Sequence, residues 1–582
     1  MANVYERATQ ILRNLKLSSD NIDIADCYHL CANKHQIEEL KTHDHQVIWG
    51  RRGTGKTTLL KAFVYNINYM EQNPSTVALY IVMAKIIPTE DEIRELTADG
   101  SGLAIYVFSK LIDEICKGLE EIYEARCSSM EEDAVSRFLK SFYELQDYLK
   151  IYQTHIQGGE LTIDSLKSNE LKKEVGHNVN ADTNLSSGIF NSCINFFKKY
   201  NKTLNSKQTI TLTGKITFQL ETRLIGELIT KMLEAFNISL AYICIDEYSE
   251  MDKVSEYSIQ SKVAQLIKQI FFKNPLYSVK IATIWNRSKL HTRGGNRVEG
   301  IEYQHDIFAG PDLDIMFMEN NNDVINYFKE MLINTYLMND EINLEERNAL
   351  SDYIETDIFG KAGLRHLICG SQGISRSFVI LAKAYLQRFI KHNHGPVKLV
   401  VVYEIIKHQY FEDVRNKIPY YSLYKEINKF ITEKQCRYFL LTRKDYIRCK
   451  SLIIYLATRG LFMQLPGHLT NRILRDEYKL FIIHYGSYLD ALESESYKAG
   501  RKKLGEDAKL EANGMLLPEY DVELIDSPES FTVKLPANIE NEVYCTRCKK
   551  IFISDEKVTK VRCAHCGQET LRFSEFVDEV AI

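Results

Sequence analysis

Four short apolar runs, rich in β-branched residues, occur in the first half of the chain, at residues 46–49, 77–83, 241–245 and 279–284. Runs of this length are typical of parallel strands that are buried on both faces. Segments with helical periodicity lie between them, at about 103–153, 220–236 and 254–272. Because strands alternate with helices, the pattern predicts an α/β fold with a three-layer core around a parallel sheet.

The rest of the chain divides into segments of different pattern. Residues 155–220 are polar and aperiodic, which indicates an insertion into the core. Residues 320–430 are almost entirely helical, and a helix–strand–turn–strand order follows over 444–490. The predicted domains are the N-terminal helices with the α/β core at 1–310, a helical domain at 311–420, a winged-helix-like domain at 421–492, a linker and irregular segment at 493–538, and a small cysteine-containing domain at 539–582.

The composition excludes several protein classes. At 582 residues the chain is too long for a single hydrophobic core, and its 45% hydrophobic and 26% charged residues are those of an ordinary soluble protein. It has no apolar run long enough to span a bilayer, and its N-terminus lacks a signal-peptide pattern, so we expect a cytoplasmic protein without a membrane partner. The net charge of −5 does not exclude a local basic surface.

A glycine-rich segment lies between the first predicted strand and a helix. It reads Gly-Arg-Arg-Gly-Thr-Gly-Lys-Thr at residues 50–57 and fits G-x-x-x-x-G-K-[ST] at every position. Such a loop folds around phosphates with its N–H groups inward, while the lysine reaches the β- and γ-phosphates and the threonine hydroxyl ligates Mg²⁺. The predicted ATP-binding residues are Gly50, Arg51, Arg52, Gly53, Thr54, Gly55, Lys56, Thr57 and Thr58.

Two carboxylates, Asp246 and Glu247, follow the third apolar run. An acidic turn after a strand is common by itself, but beside a phosphate-binding loop this order predicts the second motif of a nucleotide site. We expect Asp246 to hold Mg²⁺ together with Thr57. We expect Glu247 to orient or deprotonate the attacking water, which favours hydrolysis over nucleotide binding alone.

Two further polar residues are candidates for contact with the γ-phosphate. Asn286 follows the fourth apolar run, where its amide could reach the phosphate or could only cap a helix. Arg376 opens a strongly periodic helix of the helical domain, where its guanidinium could contact the nucleotide or be an ordinary surface group. The residues alone leave both alternatives open.

Four of the thirteen cysteines lie together near the C-terminus. They are Cys545, Cys548, Cys563 and Cys566, in two C-x-x-C pairs separated by fourteen residues. Each pair can present two thiolates to one side of a tetrahedral ion, and four thiolates leave no open position for catalysis. The spacing therefore predicts a small zinc ribbon with a structural Zn²⁺; the alternative is four buried thiols.

The winged-helix-like segment carries a local basic excess. Residues 443–480 contain eight Lys or Arg against three acidic residues, whereas the whole chain is acidic. A basic excess on a recognition helix and wing is typical of contact with DNA phosphates, and the alternatives are a solvated surface or a protein-binding winged helix. The candidate DNA-binding residues are Arg443, Lys444, Arg448, Lys450, Arg472 and Arg475.

Together these motifs resemble the AAA+ superfamily of P-loop ATPases, specifically its origin-recognition and Cdc6-like branch and the bacterial relatives of that branch. The resemblance covers about residues 25–490 and rests on the loop at 50–57, Ile-Asp-Glu at 245–247, the strand before Asn286, the Gly-Ile-Ser-Arg helix start and the winged-helix-like segment. It implies a helical lid, with Asn286 as sensor 1 and Arg376 as sensor 2. It also implies a homo-oligomer in which an arginine finger reaches a neighbour's ATP, with Arg293 and Arg297 as candidates.

Two functions remain open on the sequence. ATP binding and hydrolysis could switch conformation or assembly on double-stranded DNA. They could instead regulate a partner effector protein, as in bacterial signalling and anti-phage defence ATPases, with the zinc ribbon or the winged helix as the docking surface. A scaffold that binds ATP without turnover is disfavoured by the presence of Glu247. We find no separate nuclease, protease or transferase motif.

Overall fold

The computed structural model describes most of the chain, in ranges that are separated by gaps. The described residues are 4–16, 22–71, 73–89, 100–156, 221–251, 259–284, 287–294, 297–314, 321–338, 340, 342–392, 395–418, 422–434, 437–464, 477–498, 528–536, 539–545, 547, 551–554 and 560–571. The predicted insertion at 155–220 lies outside them, except for residues 155 and 156.

The first part of the chain alternates helices and strands as the periodicity predicted. Its elements are α1 (Val4–Asn14), α2 (Ile24–Leu30), α3 (Lys34–Leu40), β1 (Gln46–Trp49), α4 (Lys56–Tyr65), β2 (Thr76–Val82), α5 (Met83–Ile86), α6 (Gly100–Arg126), α7 (Glu132–Ile156), α8 (Thr222–Ala235), β3 (Leu240–Asp246), α9 (Ile259–Phe271), β4 (Tyr277–Thr283), β5 (His291–Gly294), β6 (Arg297–Gly300) and β7 (Phe308–Asp312).

A parallel sheet of order β2-β3-β4-β1-β7 forms the middle layer of this core. Alternate residues of each strand point to opposite faces, so Val47 packs with the helices α6 to α9, whereas Ile48 packs with α3 and α4. This confirms the predicted three-layer α/β core. The edge strand β7 was not predicted, because Gly310 and Pro311 interrupt its apolar run.

The second part of the chain contains the remaining elements. They are α10 (Asn321–Leu337), α11 (Leu344–Tyr353), α12 (Lys361–Ser371), α13 (Ser375–His392), α14 (Leu399–Asp413), α15 (Ser422–Lys434), β8 (Tyr438–Thr442), α16 (Arg443–Arg448), α17 (Lys450–Thr458), β9 (Phe462–Gln464), β10 (Tyr478–Ile483), α18 (Tyr485–Lys498), β11 (Glu542–Tyr544), β12 (Ile551–Ile553), β13 (Lys560–Arg562) and β14 (Glu569–Leu571). None of the helices in the described part of the chain has both the length and the apolarity to cross a membrane.

The helical domain, α10 to α14, also packs against the N-terminal helix α1. Ala8 and Ile11 of α1 are buried in the same apolar cluster as Phe328 and Phe378 of α10 and α13. The side chain of Gln10 also donates to the carbonyl of Tyr336, at 2.8 Å. Helix α1 thus packs on the helical domain, whereas the predicted domain at 1–310 groups it with the core. An apolar face on one short helix does not reveal which domain will cover it.

The winged-helix segment has the order helix, strand, helix, helix, strand, strand. The strands β8, β10 and β9 form an antiparallel sheet, and the helix predicted at 443–458 is in fact two helices, α16 and α17. Cys449 separates them because its backbone leaves the helical region, at φ −111° and ψ 19°. Two helices are thus followed by two antiparallel strands, the order on which the winged-helix prediction rests.

The segment that precedes the cysteine-containing domain is attached to the winged helix. The N–H of Val533 donates to the carbonyl of Leu440 in β8, at 3.0 Å, and Phe531 stacks on Tyr438. The carboxylate of Glu542 accepts from the Ser422 backbone N–H. Residues 528–536 of the predicted linker and irregular segment at 493–538 therefore pack on the exposed edge of β8.

Candidate nucleotide-binding cleft between the sheet and the helical domain

The loop at residues 50–57 connects β1 to α4 in the conformation that a phosphate site needs. Gly53 and Gly55 have φ values of +87° and +102°, in the left-handed region that other residues rarely adopt. A Cβ atom on Gly53 would also lie 3.0 Å from Cβ of Arg376. The glycines are therefore required both by the loop and by the close approach of the helical domain.

Lys56 begins α4, and its side-chain amine lies against the loop. Its Nζ donates to the carbonyls of Gly50 and Arg51, at 2.6 and 2.9 Å. Burial lowers the pKa of this amine to about 8. The loop holds the amine in its interior, where phosphate oxygens would replace the two carbonyl acceptors.

Asp246 ends β3 as a fully buried carboxylate with several donors around it. The Tyr80 hydroxyl donates to its Oδ2 and the Glu247 N–H to its Oδ1, both at 2.8 Å. The Thr57 hydroxyl also donates to it. Burial raises the pKa of Asp246, and these hydrogen bonds oppose that rise. The structure therefore brings together Thr57 and Asp246, the two predicted ligands of Mg²⁺, whose oxygen donors suit this hard cation.

Glu247 lies at the end of β3 in a strained backbone conformation. Its φ of +56° is uncommon for a residue other than glycine and costs on the order of 1–3 kcal/mol. Its side chain lines the cleft together with Asp246 and Lys56. Strain of this kind persists where the surrounding structure imposes it, and it turns Glu247 toward the cleft.

The start of α13 docks on the phosphate loop. The N–H of Arg376 donates to the carbonyl of Gly53 at 3.1 Å, and the Ser375 hydroxyl donates to the carbonyl of Thr54 at 3.3 Å. Arg376 lines the same cleft as Lys56 and Glu247. The structure thus brings the predicted sensor 2 residue to the nucleotide site.

The cleft has a volume of about 230 Å³ and is lined by both halves of the chain. Its lining comes from residues 52–58, from Asp246 and Glu247, from Arg376 with neighbouring residues of α10 and α13, and from the α1–α2 region. Lys56 and Arg376, which are both cationic, therefore line the same cleft as the loop that would hold a phosphate chain.

The Arg51 side chain bonds to residues outside the phosphate loop. Its Nε donates to Oδ1 of Asp314 at 2.8 Å, and its Nη2 donates to the carbonyl of Gln372 at 2.7 Å. Arg51 does not line the cleft, whereas Arg52 does. The Arg51 guanidinium thus bonds the loop to its surroundings. The assignment of Arg51 as an ATP-binding residue of the loop stays a prediction.

Two side chains of the site were not found by sequence reasoning. Tyr80 contacts Asp246 from the neighbouring strand β2, and Thr283, the last residue of β4, lines the cleft. Thr283 lies opposite Trp49, the residue before the phosphate loop, in the parallel register of β4 and β1. Strand-end alignment was the available signal, but it requires the strand order, which the sequence did not show.

Three predicted catalytic residues cannot be placed at the cleft. Asn286 lies outside the described residues. Arg293 and Arg297 lie on the antiparallel hairpin of β5 and β6, and the structure describes their backbone only. Their assignments as sensor 1 and arginine finger stay predictions.

Three of the four C-terminal cysteines meet as the zinc prediction requires. The sulfur atoms of Cys545, Cys563 and Cys566 all lie within 4.8 Å of one another, and those of Cys545 and Cys566 are 3.6 Å apart. Thiolates bonded to one tetrahedral zinc at about 2.3 Å are separated by about 3.8 Å. The N–H of His565 donates to the Cys563 sulfur at 3.4 Å. The three residues fit zinc, and Cys548 lies outside the described residues.

The candidate DNA-binding residues are not equivalent in the structure. Arg443, Lys444 and Lys450 are exposed, while the Arg448 guanidinium is bonded to Asp445 at 2.9 Å. Arg472 and Arg475 lie outside the described residues. Most of the exposed basic side chains belong to α16. Helix α17 is largely apolar, and most of its apolar residues are buried in the core.

The lowered pKa of Lys56 predicts how nucleotide affinity depends on pH. Bound phosphates favour the charged amine, so the complex keeps its proton to higher pH than the free protein does. The affinity for ADP should be full below pH 8 and fall by up to about tenfold per pH unit above it. Titration calorimetry at pH 7 and 9, in two buffers of different ionisation enthalpy, measures both the affinity and the proton uptake. Equal affinity at the two pH values would contradict the prediction.

Comparison with known proteins adds two distant similarities. No protein-family model matches the chain, and no curated protein matches it in sequence. The Walker-type ATPase PABY2304 of Pyrococcus abyssi is similar over 79% of this chain and 95% of its own, with 11% identity and a TM-score of 0.28. The Aeropyrum pernix ORC2 protein, in ADPNP–ADP complexes, is similar over 81% of this chain and 93% of its own, with 10% identity and a TM-score of 0.22. Similarity at this level carries no argument about function.

Proposed function

We propose that this chain is an ATPase of the AAA+ type, which binds Mg-ATP in the cleft and hydrolyses it to switch its conformation. The observation that carries the proposal is the meeting of Lys56, Thr57, Asp246, Glu247 and Arg376 at one cleft. They come from three places far apart in the sequence, and each has the chemistry that phosphoryl transfer to water requires.

Each of these side chains has a distinct task. Lys56 pairs with the β- and γ-phosphates, and Thr57 with Asp246 holds the Mg²⁺, which neutralises charge that develops on the phosphates. Glu247 accepts a hydrogen bond, and finally a proton, from the attacking water. Arg376 brings a second positive charge from the helical domain toward the γ-phosphate, so its interaction with the nucleotide changes when that phosphate leaves.

The helical domain would carry this change to the winged helix. His366 in the middle of α12 bonds to the Tyr485 hydroxyl at 2.8 Å, and Arg437 lies over the Tyr485 ring. One apolar cluster runs from Phe378 through Tyr410 to Phe439, and so joins both domains. Because such a packed core resists deformation, a rotation of the helical domain would move the winged helix with it.

Double-stranded DNA is the partner that we assign to the winged helix. Arg443 and Lys444 are exposed on α16, and Lys450 is exposed at the start of α17. Phosphate contacts need exposed cations of this kind. A protein effector is the second candidate, since Ile447, between these cations, has 63% of its surface exposed. Assembly into a homo-oligomer, cytoplasmic location and a structural Zn²⁺ in the ribbon belong to the same proposal.

The proposal is tested by the rate of ATP hydrolysis with and without double-stranded DNA, at about 50 and about 200 mM salt. A Lys56→Ala protein serves as the blank. We expect turnover that requires Lys56 and that DNA stimulates, with a stimulation that fades at the higher salt concentration. Absence of turnover above the blank would overturn the ATPase proposal. Turnover indifferent to DNA would favour the effector-regulating alternative.

A triple variant locates the DNA contact. Arg443→Ala, Lys444→Ala and Lys450→Ala together should weaken DNA binding and reduce the slope of log affinity against log salt by up to about 2.7, at about 0.9 per phosphate contact. The matched control removes the exposed cations Arg137, Lys140 and Arg223 from α7 and α8 of the core. Equal loss of DNA binding in both variants would show a non-specific charge effect instead of a winged-helix contact.

A further inference from the structure

The Arg51 side chain bridges two domains from within the phosphate loop. Asp314 follows β7 of the core, and its carboxylate accepts from the Arg51 backbone N–H and from Nε, both at 2.8 Å. On the other side, Nη2 donates to the Gln372 carbonyl of the helical domain at 2.7 Å. The guanidinium therefore joins the core, the phosphate loop and the helical domain at one point.

The carbonyl that Arg51 contacts belongs to a turn with little freedom. Gln372 and Gly373, at φ +52° and +73°, form the turn between α12 and α13, and the N–H of Ile374 closes it on the Ser371 carbonyl at 3.0 Å. Arg376, three residues after Gly373, donates its N–H to the carbonyl of Gly53. Holding the Gln372 carbonyl thus sets the position at which Arg376 enters the cleft.

Arg51 differs from the predicted phosphate-binding residues in two respects: its charge has a partner, and its side chain does not line the cleft. Asp314 neutralises its guanidinium in a half-buried ion pair, whereas Lys56 and Arg376 line the cleft itself. The contacts from the helical domain fall on the carbonyls of Gly53 and Thr54, so they occupy no N–H group of the loop. The Arg51 contact can therefore persist while nucleotide is bound.

We infer that Arg51, with Asp314, is a positioning pair that holds the helical domain on the phosphate loop and so places Arg376 at the γ-phosphate. The inference rests on the proposed ATPase function and deepens it. Arg51 acts through Arg376 and does not itself touch the nucleotide. Its removal should consequently affect the catalytic step more than nucleotide binding, since small misplacement of a charge costs far more in the transition state than in the ground state.

The test uses the full chain with three variants and one matched control. Arg51→Ala removes both side-chain contacts, Arg51→Lys keeps a cation that cannot form the bidentate bridge, and Asp314→Asn removes the charge that orients the guanidinium. The control is Lys268→Ala, which breaks the Lys268–Asp306 pair of the core. That pair has side-chain exposures of 33% and 20%, against 25% and 21% for Arg51 and Asp314.

Two measurements are made on each protein: kcat and KM for ATP, and hydrogen exchange of backbone amides at residues 371–378 without nucleotide. For Arg51→Ala we expect kcat to fall about tenfold, KM to stay within about threefold, and exchange to rise at the Arg376 amide. Asp314→Asn should show the same changes in kcat and exchange as Arg51→Ala. The double variant of Arg51→Ala with Asp314→Asn should have a kcat no lower than that of either single variant. Arg51→Lys should recover little of the lost kcat. Lys268→Ala should change neither measurement.

Specific outcomes would overturn the inference. A higher KM with unchanged kcat would make Arg51 a phosphate ligand, and unchanged exchange at 371–378 in Arg51→Ala would mean that the contact does not hold the helical domain. Failure of the ATPase proposal is recognised separately, because the wild-type protein would then show no turnover. The exchange measurement needs no hydrolysis and still decides whether Arg51 holds the helical domain.

Discussion

Glu247→Gln is expected to lower kcat for ATP hydrolysis by about 10²–10⁴-fold while changing the affinity for Mg-ATP by no more than about threefold. Glutamine has the size of glutamate and can still hydrogen-bond a water, but it cannot accept the proton that the water loses on attack. Its backbone tolerates the φ of +56° no worse than glutamate does, because neither residue is glycine. The change should therefore leave the cleft intact and remove one chemical step.

Single-turnover hydrolysis and equilibrium binding of Mg-ATP measure the two effects separately. The matched control is Glu227→Gln, which removes a half-exposed carboxylate on α8 and should leave both quantities unchanged. If Glu247→Gln hydrolyses ATP at the wild-type rate, Glu247 is not the base. If it loses Mg-ATP binding instead, the carboxylate contributes to the metal site with Asp246.

Cys563→Ser is expected to remove the bound zinc and unfold the ribbon, which holds the strands β11 to β14. Cys563 is a buried member of the three-sulfur cluster, and β11 to β14 pair only as two short hairpins. Its small apolar cluster, which includes Val543, Phe552 and Val561, is too small to support a fold alone. In structural sites of this class the metal supplies on the order of 10 kcal/mol of folding free energy.

Elemental analysis of the purified protein gives the zinc content per chain, and hydrogen exchange of residues 542–571 reports the fold of the ribbon. The control, Cys127→Ser, removes a partly exposed cysteine outside the cluster and should leave the zinc content unchanged. One zinc per chain in Cys563→Ser, together with protected amides, would contradict the structural role. Chelation should likewise leave the α/β core folded, since its apolar clusters are separate from that of the ribbon.

The elements whose signals are local could be read from the sequence. The spacing of the loop at 50–57, the carboxylates after β3 and the paired cysteines are each set within a few residues, and the apolar runs carry their own period. These signals predicted the three-layer core and most of the cleft, including Arg376. The winged-helix order was also predicted, although the break at Cys449 was not, because both helices continue one apolar period.

The rest depended on partners that are hundreds of residues away. The pattern of the loop marks Arg51 as a phosphate contact, and only the packing of β7 and α12 against that loop gives it Asp314 and Gln372 as partners. Likewise, the register of β4 with β1 brings Thr283 to the cleft, and α1 buries its apolar face against the helical domain. The sequence by itself determined which residues could bind nucleotide and metal, because that chemistry is local; the tertiary structure decided which of them meet, because strand order and domain contact are not encoded in local spacing.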